Sequence, residues 1–238
     1  MSIEERIIVA LDCPKDKALS LARELKGNAV WLKVGMTLYY AEGPSIVKEL
    51  KGMGYKVFVD LKFFDIPNQV RGAAASVVDA GADMLTVHGL GGLPMMHAAA
   101  EGVRQAYERR VEKGSKPLAL AITVVTSMDG ETLLQVGVER TVTEQVNSLA
   151  LLAMQAGLDG VVASPLEAKC LRGLLEENTT IVTPGVRPTG SSQDDQSRFA
   201  TPAQAILDGA SHLVIGRPIT EAKSPIEAFR SIVDEIRR

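Results

Sequence analysis

Short apolar runs rich in β-branched residues alternate with amphipathic segments along the whole sequence. Eight such runs occur, at 6–12, 29–35, 55–62, 84–89, 118–127, 160–164, 180–185 and 212–218. Most of them are nearly continuous in apolar residues instead of alternating with polar ones. That pattern predicts parallel strands that are covered on both faces.

The segments between the runs carry apolar residues at helical spacing, often with a glycine just past the end. The clearest lie at 17–27, 44–54, 91–110 and 143–157, and a last one spans 225–238. A weak internal repeat supports this division, because DAGADMLTVH, QAGLDGVVAS and DGASHLVIGR each place a glycine-containing turn before an apolar run. Each string has the pattern of a helix end that leads into a strand.

Eight strand–helix units predict a closed (β/α)₈ barrel, the TIM barrel, as a single domain over residues 1–238. An open doubly wound sheet is the alternative, but that fold usually carries a glycine-rich phosphate fingerprint after its first strand. Here the first run leads into LDCPKDK, which contains no such fingerprint. The barrel is therefore favoured.

Composition and charge exclude several classes of protein. The 26 Lys and Arg against 29 Asp and Glu give a net charge of −3, which argues against nucleic acid as the main partner. Cys13 and Cys170 have no metal or disulfide-scaffold spacing, so a reducing compartment is expected. No apolar run approaches the roughly 18 residues that a membrane span needs. The start, MSIEERIIVALD, is unlike a signal peptide, and we expect a cytoplasmic protein.

Charged residues end the first three predicted strands. Asp12, Lys33, Asp60 and Lys62 fall at these ends, where chemistry gathers in such barrels. Any one of them could be a solvated loop charge. Four charges of alternating sign that converge on one barrel mouth indicate a functional site, because buried charges must be paired.

The string DLKFFDIPN is the most informative segment. Asp60 and Lys62 are two residues apart on a strand, so their side chains are expected on the same face, and Asp65 follows in a turn with Ile66-Pro67. A lysine between carboxylates keeps its ammonium form, which suits a proton donor better than a Schiff-base nucleophile. A structural ion pair is the alternative reading.

Two loops on the other side of the predicted barrel favour a phosphate site. Loops after the seventh and eighth strands commonly bind phosphate in this fold. Gly185 and Gly216 would let backbone amides approach an anion, while Arg187 and Arg217 supply forked charge. The polar loop 186–200 has the length of a lid, although surface filler is the alternative.

These residues match a known family. DLKFFDIPN, with LDC, LKVGM, TSM, TPGVRP and IGRP, closely resembles the bacterial orotidine 5′-phosphate decarboxylases over essentially the whole chain. The resemblance implies a homodimeric (β/α)₈ barrel that needs no cofactor and no metal. It further implies conversion of orotidine 5′-monophosphate to UMP and CO₂, the last step of de novo pyrimidine synthesis.

The resemblance also implies roles for the charged residues. Asp12 and Lys33 would contact the ribose hydroxyls, and Lys33 would also pair with Asp60 in an alternating array with Lys62. Lys62 would donate the proton to C6 of the pyrimidine. Asp65 would join this array from the neighbouring subunit.

The remaining substrate contacts are carried over from the same family pattern. They are Ile66 and Gln69 across the dimer, Thr126 and Ser127 at the base, Arg187, Gly216 and Arg217 at the phosphate, and Gln196 in the lid. Gln69 departs from the pattern, since the family usually has Thr at this position. Its amide can still form a hydrogen bond, but it is longer.

Two other readings remain open. A magnesium-dependent phosphosugar decarboxylase or aldolase on the same barrel, resembling 3-keto-gulonate-phosphate decarboxylase or hexulose-phosphate synthase, shares the DxKxxD string but places carboxylates around Mg²⁺. The DIPN, TPGVRP and IGRP strings argue against it. A non-catalytic barrel that binds a nucleotide has no need for so dense a set of charges.

Overall fold

The computed structural model describes residues 1–111, 114–188 and 200–238, and its strands form a closed barrel. The strands are β1 (Ile7–Ala10), β2 (Trp31–Gly35), β3 (Lys56–Phe63), β4 (Met84–His88), β5 (Leu118–Ile122), β6 (Gly160–Val162), β7 (Thr180–Thr183) and β8 (His212–Ile215). Each pairs in parallel with the next, and β8 pairs with β1. The predicted (β/α)₈ barrel is confirmed. That residues 1–238 form a single domain stays a prediction.

Helices and short turns connect successive strands. In the described residues they are α1 (Ile3–Arg6), α2 (Lys15–Glu24), α3 (Met36–Glu42), α4 (Ser45–Gly52), α5 (Pro67–Asp79), α6 (Gly92–Arg109), α7 (Gly130–Gln135), α8 (Val142–Gln155), α9 (Ala168–Leu174), α10 (Pro202–Leu207), α11 (Arg217–Thr220) and α12 (Pro225–Arg237). The five helical segments singled out in the sequence correspond to α2, α4, α6, α8 and α12. None of the helices in these ranges combines the length and apolarity that crossing a bilayer requires.

The apolar residues of the strands divide between two buried layers. On β1, Ile7 and Val9 belong to the large cluster that also contains the helix side chains, whereas Ile8 and Ala10 belong to a smaller one. The smaller cluster consists of strand residues such as Phe58 and Met84, and we assign it to the barrel interior. Both faces of the strands are therefore covered, which explains why the runs are nearly continuous in apolar residues.

Six strands, β1 and β4 to β8, end before their predicted runs do, and β5 and β1 show how the chain continues. β5 ends at Ile122, although the apolar run continues to Ser127, and β1 ends at Ala10 instead of Asp12. The ladder continues for one more hydrogen bond in each case, from Thr123 N–H to the Val162 carbonyl and from Leu11 N–H to the Lys33 carbonyl. Beyond these bonds the chain turns into the loops that surround the barrel mouth.

The internal repeat corresponds to a hydrogen-bonding motif at the amino-terminal end of the barrel strands, where β4, β6 and β8 begin. A glycine in the left-handed region comes first in each copy: Gly81 (φ 111°), Gly157 (φ 78°) and Gly209 (φ 101°). Two residues later, the side chains of Asp83, Asp159 and Ser211 accept hydrogen bonds from the backbone N–H groups of Val57, Ala119 and Ile181, at 2.8, 2.9 and 3.1 Å. Each copy therefore ties the start of one strand to the start of the strand before it.

A buried aromatic pair lies at this same end. The rings of Trp31 and His212, the first residues of β2 and β8, meet edge to face with centroids 5.8 Å apart, and the Lys56 ammonium lies 5.5 Å from the Trp31 ring centroid. Within the described residues, Nδ1 of His212 has no hydrogen-bond partner. Burial lowers the pKa of His212 to about 4, and the charges of Arg6 and Lys56 act in the same direction.

Candidate active site

A cavity of about 490 Å³ opens at the carboxyl ends of the strands. It is lined by charged, polar and apolar residues from most of the barrel: Ala10, Asp12, Lys33, Phe58, Asp60, Lys62, Ile122, Val124, Val125, Thr126, Ser127, Val162, Ala163, Pro184, Gly185, Arg187, Val214, Gly216, Arg217 and Glu221. The predicted strand-end charges and both predicted phosphate-binding arginines thus face one space.

A continuous chain of ion pairs runs along one wall of the cavity. Lys33 Nζ donates to Asp12 Oδ1 at 2.9 Å and lies 3.6 Å from Asp60 Oδ2. Lys62 Nζ donates to the same Asp60 oxygen at 3.0 Å. The side chains of Lys33 and Asp60 are only 8% and 13% exposed, so the centre of the chain is largely shielded from water, while Asp12 is open to it. The predicted alternation of charge is present within one subunit.

The strand that carries Asp60 and Lys62 is not regular at this point. The pairing of β3 with β4 shifts register between Val59 and Phe63, and Lys62 has a φ of 52°. Among the described residues Lys62 is the one non-glycine residue in the left-handed region. Asp60 and Lys62 face one cavity, as expected, but the strand between them is not regular. The backbone that carries the two groups is therefore distorted, and backbone strain of this kind is common at functional sites.

Thr86 of β4 forms hydrogen bonds to two residues of this distorted segment, and it was not among the predicted site residues. Its Oγ1 accepts a hydrogen bond from Lys62 N–H at 2.9 Å and donates one to Asp60 Oδ1 at 2.8 Å. The residue is completely buried. A threonine in the otherwise apolar run MLTVH is the signal that could have drawn attention to it.

The environment fixes Asp60 as a carboxylate. Burial by itself would raise the pKa of Asp60, but the charges of Lys33 and Lys62, with hydrogen bonds from Lys62 and Thr86, hold it below its ordinary value. The pKa of His88, at the end of β4, is lowered as well, which for a histidine favours the neutral form. Burial and the nearby Lys62 charge lower the pKa of His88, and its Nδ1 accepts a hydrogen bond from Leu90 N–H at 3.3 Å. That contact gives His88 a structural role.

Gly35 leaves the room that the ion pairs need. A Cβ at this position would lie 2.6 Å from Asp12 Oδ1 and 3.1 Å from Lys33 Nζ. Both distances are shorter than ordinary contacts, so a side chain here would displace the pair. The LKVGM string therefore contributes a small residue as well as a charge.

The opposite wall carries the predicted anion-binding groups. Gly185 has a φ of 78°, which favours glycine, and it precedes the buried Val186 and the half-buried Arg187. Val186 pairs with Ala200, and Arg187 N–H donates to the Ala200 carbonyl at 3.0 Å. The two ends of the predicted lid thus meet. Gln196 and the rest of 189–199 lie outside the described residues, so the lid stays a prediction.

Apolar strand residues and one acid complete the cavity and were not predicted as site residues. Phe58, Ile122, Val162 and Val214 come from the inner cluster. Inward-facing positions with a period of two along each strand could have identified them. Glu221, just past α11, has no local motif that marks it.

Three predicted site residues lie outside the cavity of their own chain. Asp65, Ile66 and Gln69 are exposed, and Asp65 Oδ1 accepts a hydrogen bond from the neighbouring Ile66 N–H at 2.6 Å. They come from the turn after β3 and the first residues of α5. The single chain therefore does not bring them to the ion pairs.

Sequence and structure comparisons both find proteins that are named orotidine 5′-phosphate decarboxylase. The sequence model of the family described as "Orotidine 5'-phosphate decarboxylase / HUMPS family" matches residues 5–232. A Moorella thermoacetica protein named orotidine 5′-phosphate decarboxylase is 50% identical over 238 residues, which cover 99% of this chain and 94% of that protein. A protein of the same name from Nitrosococcus oceani is 47% identical over 234 residues, covering 98% of each.

A solved structure extends the likeness to three dimensions. The crystal structure of orotidine 5′-phosphate decarboxylase from Lactobacillus acidophilus superimposes with a TM-score of 0.87 at 37% identity, over 98% of this chain and all of that one. Sequence and fold thus agree with these proteins over nearly the full length, and the chain belongs to the Orotidine 5′-phosphate decarboxylase / HUMPS family.

Proposed function

We propose that this protein decarboxylates orotidine 5′-monophosphate to UMP and CO₂, with Lys62 as the proton donor. The observation that carries the proposal is the chain of ion pairs that holds the Lys62 ammonium 3.0 Å from Asp60 at the cavity wall. The names of the relatives supply the substrate. The place of the reaction at the end of UMP synthesis and the cytoplasmic location are parts of the same proposal.

The reaction balances without an added electron acceptor. The bond between C6 of the pyrimidine and its carboxylate breaks, the electron pair stays on C6, and neutral CO₂ leaves. Lys62 Nζ then gives a proton to C6, and the resulting amine recovers a proton from solvent. A fixed ammonium stabilises the developing negative charge because it is already oriented before the reaction begins.

Asp60 has a different part in the proposal. Its lowered pKa keeps it ionised, so it would repel the carboxylate of the bound substrate. That repulsion ends when CO₂ departs, whereas the attraction between Lys62 and the carbanion persists. Asp12 and Lys33 are proposed to bind the ribose hydroxyls, and Lys33 also helps to keep Asp60 charged.

The opposite wall is proposed to bind the phosphate and the base. Arg187, Gly216 and Arg217 would hold the phosphate, and Thr126 and Ser127 would contact the pyrimidine, since all five line the cavity. Gln196 is proposed as a further contact from the loop. Binding energy from a remote phosphate can lower the barrier at the reacting carbon.

A homodimer with shared sites is part of the proposal. Asp65 and Ile66 are exposed at the rim that follows β3, where they cannot serve the cavity of their own chain. Large apolar side chains are exposed here and after the two neighbouring strands: Phe64 (64%) after β3, Tyr40 (72%) after β2 and Leu90 (42%) after β4. An apolar rim of this kind is typical of an interface. Asp65, with Ile66 and Gln69, would then reach the array of the second subunit.

The magnesium-dependent alternative is not favoured. Both oxygens of Asp60 are engaged, one by Thr86 and the other by Lys62 with Lys33 nearby, so two ammonium groups stand where a divalent cation would need carboxylates. That no metal or other cofactor takes part stays a prediction.

The first test follows the absorbance of orotidine monophosphate with purified protein, with and without EDTA. We expect turnover that is insensitive to the chelator. Lys62→Ala should abolish it while the melting temperature stays close to that of the wild type. Lys48→Ala, an exposed lysine of α4, is the matched control and should be fully active. Activity of Lys62→Ala near the wild-type level would contradict the proposed proton donor.

A mixing experiment extends this test to the shared sites. Lys62→Ala and Asp65→Ala, each inactive alone, are mixed and allowed to exchange subunits. If Asp65 acts across the interface, half of the sites in a mixed dimer contain both residues, and about a quarter of wild-type activity should return. A mixture that stays inactive after proven exchange would place Asp65 outside the partner's site.

A further inference from the structure

We infer that Thr86 is a positioning residue for the proposed decarboxylation, acting through the backbone of Lys62 and the carboxylate of Asp60. The inference rests on the proposed function and adds a residue to it. Thr86 does not line the cavity, so it does not touch substrate. Its effect must pass through the two groups that do line it.

The register of β3 against β4 leaves Thr86 alone opposite the distortion. Val59 pairs with Leu85 and Phe63 pairs with Val87. Asp60, Leu61 and Lys62 on β3 thus lie opposite the single residue Thr86 on β4. The backbone of one residue cannot form hydrogen bonds to all the N–H and C=O groups of three residues opposite it. The hydroxyl of Thr86 accepts the hydrogen bond from Lys62 N–H instead.

The direction of both hydrogen bonds is determined. An amide N–H can only donate, so the hydroxyl accepts from Lys62, and its single hydrogen points to Asp60. An ionised carboxylate can only accept, which matches the state of Asp60. One hydroxyl therefore sets the left-handed backbone of Lys62 and the rotation of the Asp60 carboxylate together. Asp60 Oδ2 is left for the ammonium of Lys62.

Removal of the hydroxyl is expected to release both groups. The Lys62 backbone would relax toward the extended region that a lysine prefers, and Nζ would move away from its place beside Asp60. Catalysis is sensitive to such shifts, since a displacement of about 1 Å can cost roughly 100-fold in rate. The phosphate wall is untouched, so binding of the nucleotide should be kept.

The test compares three variants at a temperature where all are folded. Thr86→Val keeps the shape and loses the hydroxyl, and we expect kcat to fall roughly 10- to 100-fold with KM and UMP affinity close to wild type. Thr86→Ser keeps the hydroxyl and should restore kcat to within a few-fold. Thr123→Val is the control, because it also removes a buried hydroxyl, one whose hydrogen bond goes to the Val162 carbonyl, at 3.0 Å, and not to Asp60.

A second readout does not depend on turnover. Hydrogen exchange at the Lys62 amide should be slow in the wild type and in Thr86→Ser and faster in Thr86→Val. A Thr86→Val enzyme with wild-type kcat, or a Thr86→Ser enzyme as impaired as Thr86→Val, would overturn the inference and leave the decarboxylase intact. A wild-type protein without turnover would overturn the proposed function and this inference with it.

Discussion

Gly35 ends β2 beside the Asp12–Lys33 ion pair, and the space it leaves is as much a part of the site as the charges. Its φ of −87° is accessible to any residue, so the backbone does not require glycine there. The contact distances do, because a methyl group would collide with the Asp12 carboxylate. Asp12 is exposed, so its side chain can move aside without disrupting the barrel.

Gly35→Ala is therefore expected to impair the site and spare the fold. We expect kcat/KM to fall about tenfold, since Asp12 and Lys33 lose their pairing geometry, with a change of only a few degrees in melting temperature. Gly173→Ala is the control, because a Cβ there, in the last turn of α9, meets no atom within 4 Å. Equal activity in the two variants would show that the ion pair tolerates the methyl group.

The sequence was sufficient to locate the charges but not their support. Asp12, Lys33, Asp60 and Lys62 could be predicted because each lies at the end of an apolar run. Thr86 could not, since its role depends on how β3 and β4 align, and local sequence does not encode that alignment. The left-handed conformation of Lys62 has the same origin.

Each copy of the hydrogen-bonding motif at the start of β4, β6 and β8 also includes a basic side chain. Lys51 Nζ lies 2.7 Å from an oxygen of Asp83, and Lys116 Nζ lies 2.8 Å from one of Asp159. In the third copy an arginine donates to a hydroxyl instead, since Arg172 Nη2 lies 3.2 Å from Ser211 Oγ. The repeat seen in the sequence is thus a set of ties between neighbouring strands, remote from the cavity.

These ties should contribute to stability and not to activity. Asp159→Ala leaves the Ala119 N–H without its side-chain acceptor, and we expect the free energy of unfolding to fall by about 1–3 kcal/mol with kcat unchanged. Asp159→Asn keeps an acceptor oxygen and loses the charge facing the exposed Lys116, so its loss should be smaller. Denaturant unfolding with parallel kinetics tests both variants. A lowered kcat in Asp159→Ala would contradict the separation of the two ends.

Element boundaries were less predictable than the elements themselves. The run that contains β5 continues as TVVTS because Val124 and Val125 line the cavity after the strand has ended. An apolar residue at a barrel mouth and one in a strand have the same local pattern. Helix α5 begins at Pro67, whose fixed φ suits a first helical turn, and this places the DIPN turn at the rim.

At the scale of the whole molecule, burial of His212 links stability to pH. Its folded pKa of about 4 is below the unfolded value of about 6.5, so the unfolded chain binds the proton more readily between these values. The stabilisation from neutral His212 is fully present above pH 6.5 or so. It is lost as the pH falls toward about 4, and it amounts to about 3 kcal/mol.

We expect His212→Leu to flatten this part of the pH dependence. The measurement is urea unfolding followed by circular dichroism between about pH 4.5 and 7. His97→Gln, which changes an exposed histidine of α6, should keep the wild-type slope. If the slopes of wild type and His212→Leu coincide over this range, His212 does not control it. Carboxylates also titrate in this pH range. The quantity to compare is therefore the difference between the wild-type and His212→Leu slopes of unfolding free energy against pH.

The barrel itself could be predicted because eight apolar runs and the glycine turns agree on one topology. Of the candidate site, the sequence pattern could locate only the residues that the chain's own barrel brings together. No feature of a single sequence places Asp65 relative to a second subunit, and the fold of the isolated chain leaves it exposed at the rim.

Trp31 is the only tryptophan in the sequence. It lies buried against His212, at the end of the barrel where the strands begin. The cavity lies at the opposite end, and its lining contains no tryptophan among the described residues. Excitation selective for tryptophan over the four tyrosines would therefore report on this end of the barrel, at a ring that does not line the cavity. Unfolding curves recorded by tryptophan emission with and without nucleotide are expected to share one folded baseline, because a ligand in the cavity would not contact Trp31.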